Sequence, residues 1–167
     1  MELVTEGFIE IKLLHKYLRL PYGLHVYDYR RVKGAKKTIV FLHGIGSSGS
    51  MWKSVADKQT NVNVIIIDLL GFGNSPAPAW VRYDAQLQAR AVSFTLTRLG
   101  ITRPVVVVGH SMGALVAVKL ARRYPRRVES LVLCSPPFYQ PDEHAANGRL
   151  SPEAMLKKLY VAIQSNP

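Results

Sequence analysis

Four consecutive valines at 105–108 run directly into Gly109-His110-Ser111-Met112-Gly113, and from there into a segment with small residues at four-residue steps. A continuous β-branched run of this kind belongs to a strand covered on both faces, as in a parallel sheet. The segment that follows, 112–124, places Gly113, Ala117 and Ala121 on one helical stripe, which lets a helix lie close on the sheet. Pro125 then blocks continuation of the helix. A strand joined to a helix through so short a passage leaves Ser111 on a sharp turn at the carboxyl edge of the sheet.

The same texture recurs along the chain. Residues 38–42 and 131–134 read as buried strands, and so does 62–68, which contains Val64-Ile65-Ile66-Ile67. Residues 24–29 alternate apolar and polar side chains and read as a strand near the sheet edge. Between strands, residues 83–99 carry Leu87, Ala91, Phe94 and Arg98 at helical spacing, with Gly100 to stop the helix. This alternation predicts an α/β fold, a doubly wound and mostly parallel sheet with flanking helices. After Ser135 the texture changes. Pro136, Pro137 and Pro141 interrupt a polar loop, and Ser151-Pro152-Glu153 has the form of a helix start. Leu156, Leu159, Tyr160 and Ile163 would give that helix its apolar face. The expected division is a core over 1–135 and the beginning of a cap or lid over 136–167.

Composition narrows the function classes. Apolar residues make up 48%, charged residues 20%, and the mean hydropathy is +0.05, values that belong to a folded globular domain. The single Cys134 excludes a disulfide framework and a multi-cysteine zinc site, and no metal is expected. The N-terminus is acidic and lacks a continuous apolar core, and no apolar run approaches the roughly 18 residues needed to span a bilayer. A cytoplasmic protein is the expectation. The net charge is +11, with basic clusters between Lys12 and Lys37 and between Lys119 and Arg127. No aromatic-basic RNA motif or zinc-finger spacing accompanies them. They read as a solvated surface with no specific nucleic-acid partner.

Three turns at strand ends carry the chemistry. Gly109-His110-Ser111-Met112-Gly113 matches the G-x-S-x-G pattern of a nucleophile elbow, where a strained turn exposes the serine hydroxyl and its neighbours must be small. The helix behind it favours developing negative charge. His43-Gly44-Ile45-Gly46 follows the 38–42 strand. Acyl transfer builds an oxyanion that needs donors aimed at it in advance. The Met112 and Ile45 backbone N–H groups are the expected pair. Gly44 lets the loop fold close to the site, and His43 is expected to brace that loop rather than act as a base. His110 is assigned a structural role. The third turn, Asp68-Leu69-Leu70-Gly71-Phe72-Gly73-Asn74-Ser75, reads as structural, with Asp68 tying down backbone N–H groups.

These three motifs, in this order and spacing, resemble the α/β-hydrolase superfamily over roughly 24–135, in its esterase, lipase and carbon–carbon hydrolase branch. Epoxide hydrolases and haloalkane dehalogenases carry Asp where this chain has Ser111. The resemblance implies a small, apolar acyl substrate, no cofactor, and a serine that forms an acyl-enzyme released by water. It also implies a triad in the order Ser, acid, His, with the last two on turns beyond the cap region. The chain therefore resembles the N-terminal portion of such an enzyme. Within it, Asp142 and His144 are the available substitutes for acid and base, although Asp142-Glu143-His144 also reads as an ordinary solvated loop. A non-catalytic relative that binds a small ligand or partner is the alternative. An open sheet edge beside 131–134 would favour self-association.

Overall fold

Alternation of buried strands and helices produces a five-stranded sheet in the computed structural model, which describes His15 and residues 20–137. The strands are β1 (Val26–Arg30), β2 (Thr38–Leu42), β3 (Asn63–Ile67), β4 (Val105–His110) and β5 (Val128–Cys134). Their spatial order is β1-β3-β2-β4-β5. β2 lies parallel to both β3 and β4, β5 lies parallel to β4, and only β1 runs antiparallel, against β3 at the edge. The expected edge strand and the four buried runs are thus all strands, and the sheet is mostly parallel.

Because side chains alternate across a strand, each strand serves two cores. On one face Val40, Leu42, Ile65, Ile67, Val105 and Val107 pack with helices α2 (Ala85–Arg98) and α3 (Met112–Arg123). On the other, Phe41, Val64 and Ile66 meet Trp52 and Ala56. These come from a 3-10 turn, Gly49–Trp52, and the one-turn helix α1, Lys53–Ala56. The Phe41 and Trp52 ring centroids are 5.2 Å apart. Burying both faces explains why β2, β3 and β4 read as apolar throughout. The 131–134 run, expected to be buried as well, lies in β5 at the end of the sheet, where no residue is fully buried. The short 49–56 segment has too little periodicity to be read in advance.

Helix α2 forms where the spacing of Leu87, Ala91, Phe94 and Arg98 predicts a helix. Leu87 and Phe94 are half-buried and Arg98 is exposed. Its buried residues are Gln88, Ala89, Ala91, Val92, Ser93, Thr95 and Leu96. Small and polar side chains can occupy these positions because their polar atoms are satisfied. Thr95 Oγ1 donates to the Ala91 carbonyl at 2.8 Å and accepts from the Leu24 N–H at 2.9 Å. Asp84 caps the helix, accepting from the Leu87 N–H at 2.7 Å. β5 lies at the end of the sheet, with Val132 47% exposed. Among the described residues no helix is long and apolar enough to cross a membrane. The expected cap, with Leu156, Leu159, Tyr160 and Ile163, lies outside the described residues.

Candidate active site

The carboxyl ends of β2, β3 and β4 meet at one edge, and each delivers one of the three turns. Ser111 joins β4 to α3 with φ 50° and ψ −115°. L-residues with a side chain rarely adopt a positive φ, and holding one there costs about 1–3 kcal/mol. The surroundings enforce it. The Ser111 N–H donates to the Cys134 carbonyl at 2.9 Å, and its own carbonyl accepts from the Ala114 N–H at 3.0 Å. Both flanking glycines are required by close approach. A Cβ on Gly109 would enter the Gly113 carbonyl, and a Cβ on Gly113 would enter the Leu42 and His43 carbonyls. The start of α3 therefore rests directly on the end of β2.

That contact brings the 43–49 loop to the serine. A Cβ on Gly44 would sit 3.2 Å from Ser111 Cβ and 2.9 Å from His110 Nδ1. Ile45 follows, half-buried against the core. Met112 opens α3, where the first N–H groups of a helix have no partner within it. Neither the Ile45 nor the Met112 N–H is hydrogen-bonded among the described residues.

His43 is wholly buried. Its Nδ1 lies 2.7 Å from the Gly44 carbonyl, which can only accept, so Nδ1 carries the proton. Its Nε2 then accepts from the Leu69 N–H at 2.9 Å. Burial pushes its pKa below the ordinary histidine value, against the opposing pull of the Gly44 hydrogen bond and the Asp68 charge. Both nitrogens of this neutral ring are occupied, which leaves none to take a proton from Ser111. His110 Nδ1 is buried beside Gly44 with no hydrogen-bond partner among the described residues.

Asp68 is 1% exposed and organises the third turn. Oδ1 accepts from the Gly49 N–H at 2.6 Å. Oδ2 accepts from the Asn74 N–H at 3.0 Å and faces His25 Nδ1 at 2.9 Å. Gly73, at φ 53°, presses so closely on this carboxylate that no side chain fits there. Burial raises the Asp68 pKa, but the hydrogen bonds from Asn74, Gly49 and His25 outweigh it and leave the group below the usual carboxylate value. Gln88 completes the turn. Its amide accepts from the Leu70 N–H and donates to the Leu70 carbonyl, both at 2.8 Å. Gln88 and His25 are absent from the sequence reading, because a lone polar residue on a helix or strand gives no local sign of a distant backbone partner.

The Ser111 hydroxyl has no hydrogen bond among the described residues. Asp142 and His144 lie outside them. Two clefts, of about 300 and 370 Å³, run beside α2, and neither is lined by Ser111. No group of three His, Cys, Asp or Glu side chains that could hold a metal ion occurs among the described residues.

The fold and these turns place the chain in a family. A family model described as the alpha/beta hydrolase fold matches residues 37–166. The chain belongs to the α/β-hydrolase fold family. It is 30% identical over 114 residues to a probable lysophospholipase, BODYGUARD 2, of Arabidopsis thaliana, covering 65% of this chain and 24% of that protein. It is 36% identical over 95 residues to Lipase 3 of Moraxella sp. (strain TA144), covering 57% of this chain and 30% of the lipase. The solved structure of a marine microorganism esterase matches with a TM-score of 0.67 over 87% of this chain and 52% of that one. At 21% identity this is a likeness of fold. The chain spans about a quarter to a third of the length of the curated relatives it matches.

Proposed function

We propose that this chain carries the nucleophile and the oxyanion donors of a serine hydrolase that cleaves a carboxylic ester or related acyl compound. The observation that carries the reading is the backbone of Ser111, a non-glycine residue held at φ 50° between β4 and α3 with the Gly44 loop against it. Strained backbone of this kind clusters at active sites, and of the two non-glycine residues held at positive φ among the described residues, Ser111 and Ser135, Ser111 is the one within the G-x-S-x-G turn. Two relatives, a probable lysophospholipase and a lipase, support ester hydrolysis.

In this mechanism Ser111 Oγ attacks the acyl carbon as its proton passes to a base. The carbonyl oxygen becomes an oxyanion held by the Ile45 and Met112 N–H groups. Collapse of that intermediate expels the alcohol, which takes the proton back, and leaves an acyl group on Ser111. Water then attacks the same carbon and releases the acid. His43 braces the loop, and Gly44, Gly109 and Gly113 permit the approach. The base and its acid come from outside the described residues, and His144 and Asp142 are the first to test within the chain. The substrate is a small apolar acyl compound.

A second reading is a ligand-binding relative without catalysis. It is favoured by one observation, that neither ring nitrogen of His43 is free and no described side chain bonds the Ser111 hydroxyl. Fluorophosphonate labelling of the chain, with Ser111→Ala as control, is the test. Labelling confined to Ser111 supports the hydrolase. Absence of labelling in a folded sample means that no base within the chain activates Ser111, which leaves a base supplied by a longer parent protein or the binding role.

A further inference from the structure

The loop that presents Ile45 is held at both ends by the turn after β3. At its start, His43 Nε2 accepts from the Leu69 N–H at 2.9 Å. At its end, the Gly49 N–H donates to Asp68 Oδ1 at 2.6 Å, in a buried hydrogen bond. Gly49 is itself wedged in place, since a Cβ there would lie 2.6 Å from Tyr27 Cβ and 2.8 Å from Ile66 Cγ2. The loop end therefore has one position, set by β1 and β3 from below and by the carboxylate from the side. The other carboxylate oxygen reaches His25 and Asn74, so one buried group links the segment entering β1, the 3-10 turn and the turn after β3.

Burying a carboxylate costs free energy that a neutral turn residue would avoid, unless several donors must converge on one point. Here three do. Asp68 touches neither Ser111 nor the space in front of it, so any influence on the reaction passes through the loop.

We infer that Asp68 is a positioning residue for the oxyanion loop, its carboxylate fixing Gly49 so that the Ile45 N–H is held toward the acyl oxygen at Ser111. The inference rests on the hydrolase reading for the role of Ile45. The fixing of the loop itself can be measured without any reaction. Gln88 bonds the same β3 turn but not the loop, and so acts as an internal comparison.

The test is backbone hydrogen exchange across the 43–52 segment in the full chain, for Asp68→Asn and Asp68→Ala. Leu96→Ala, a buried α2 residue with no hydrogen bond to the loop, serves as a control for general destabilisation. Asp68→Ala is expected to speed exchange of the loop by about tenfold beyond that seen in β4 and β5. Asp68→Asn keeps one acceptor for Gly49, so it is expected to show a smaller local increase and to carry the test if Asp68→Ala does not fold. A pattern in the Asp68 variants that matches Leu96→Ala, with loop and strands loosened alike, would overturn the inference. Fluorophosphonate labelling on the same samples reads the other level. If the parent chain labels, Asp68→Asn should slow labelling by more than its stability loss explains, and an unchanged rate would overturn the positioning role. If the parent does not label, no base within the chain activates Ser111, and hydrogen exchange still decides whether Asp68 fixes the loop.

Discussion

Two turns at the same sheet edge are held in different ways. The elbow after β4 is shaped by exclusion: Gly109 and Gly113 sit where any Cβ would enter backbone, and Ser111 takes the strained conformation that remains. The turn after β3 is shaped by attraction. Asp68, Gln88, His43 and Ser75 each bond backbone groups that are distant in sequence. The first device works by close approach, of Gly109 to Gly113 and of Gly113 to the end of β2, and tolerates no added volume. The second needs partners from four segments and tolerates no lost acceptor. Both meet at the 43–49 loop, which touches Ser111 at Gly44 and Asp68 at Gly49.

Substitutions that break each device should differ in size. Gly113→Val, driven into the Leu42 and His43 carbonyls, should have the largest effect, a loss of at least about 3 kcal/mol or failure to fold in denaturant titration. Asp68→Ala, which leaves the Gly49 and Asn74 donors without their acceptor, should cost about 2–3 kcal/mol by the same measurement. A loss no larger than that of Lys37→Ala would contradict the attraction account.

Acid should act on the β3 turn and spare the elbow, in two steps. His43 is held below its ordinary 6.5, so its stabilising contribution is complete above that pH. As the pH falls lower, the unfolded chain takes up the proton first and that contribution is lost. Asp68 is held below 3.8, so its contribution is complete above that value and disappears as the pH falls through the lowered one. Stability measured against pH should lose the upper step in His43→Gln and the lower step in Asp68→Asn.

Ser111→Gly should raise stability by about 1 kcal/mol, because glycine relieves the positive φ while abolishing any labelling. Unchanged or lower stability would mean that the elbow stores no strain. The smallest effect belongs to Lys37→Ala. Its 2.6 Å pair with Glu129 is exposed on both sides and should contribute under about 0.5 kcal/mol.

Much of the sheet was legible because burial on both faces demands continuous apolar runs, and Val64-Ile65-Ile66-Ile67 and the four valines answer to little else. The helix α2 was legible as a helix but not in its orientation. Leu87, Phe94 and Arg98 are its conspicuous residues, yet Gln88, Ser93 and Thr95 are the ones buried. Periodicity weighs hydrophobicity, whereas the packed helix weighs whether each polar atom finds a partner, and those partners are Leu70 and Leu24.

By itself the sequence determined the strands, the short passage from β4 to α3, and the serine set between glycines. Each of these depends on neighbours within a few residues, through sterics and side-chain volume. Only the tertiary structure decided that Gly44 lies against Ser111, that His43 has no nitrogen to spare, and that Asp68 holds the far end of the same loop. Those facts depend on close approach between Gly44 and Ser111 and on hydrogen bonds such as Leu69 to His43 and Gly49 to Asp68, which join residues about 20 or more positions apart. Such bonds come into existence only when β2, β3 and β4 align their carboxyl ends in one sheet.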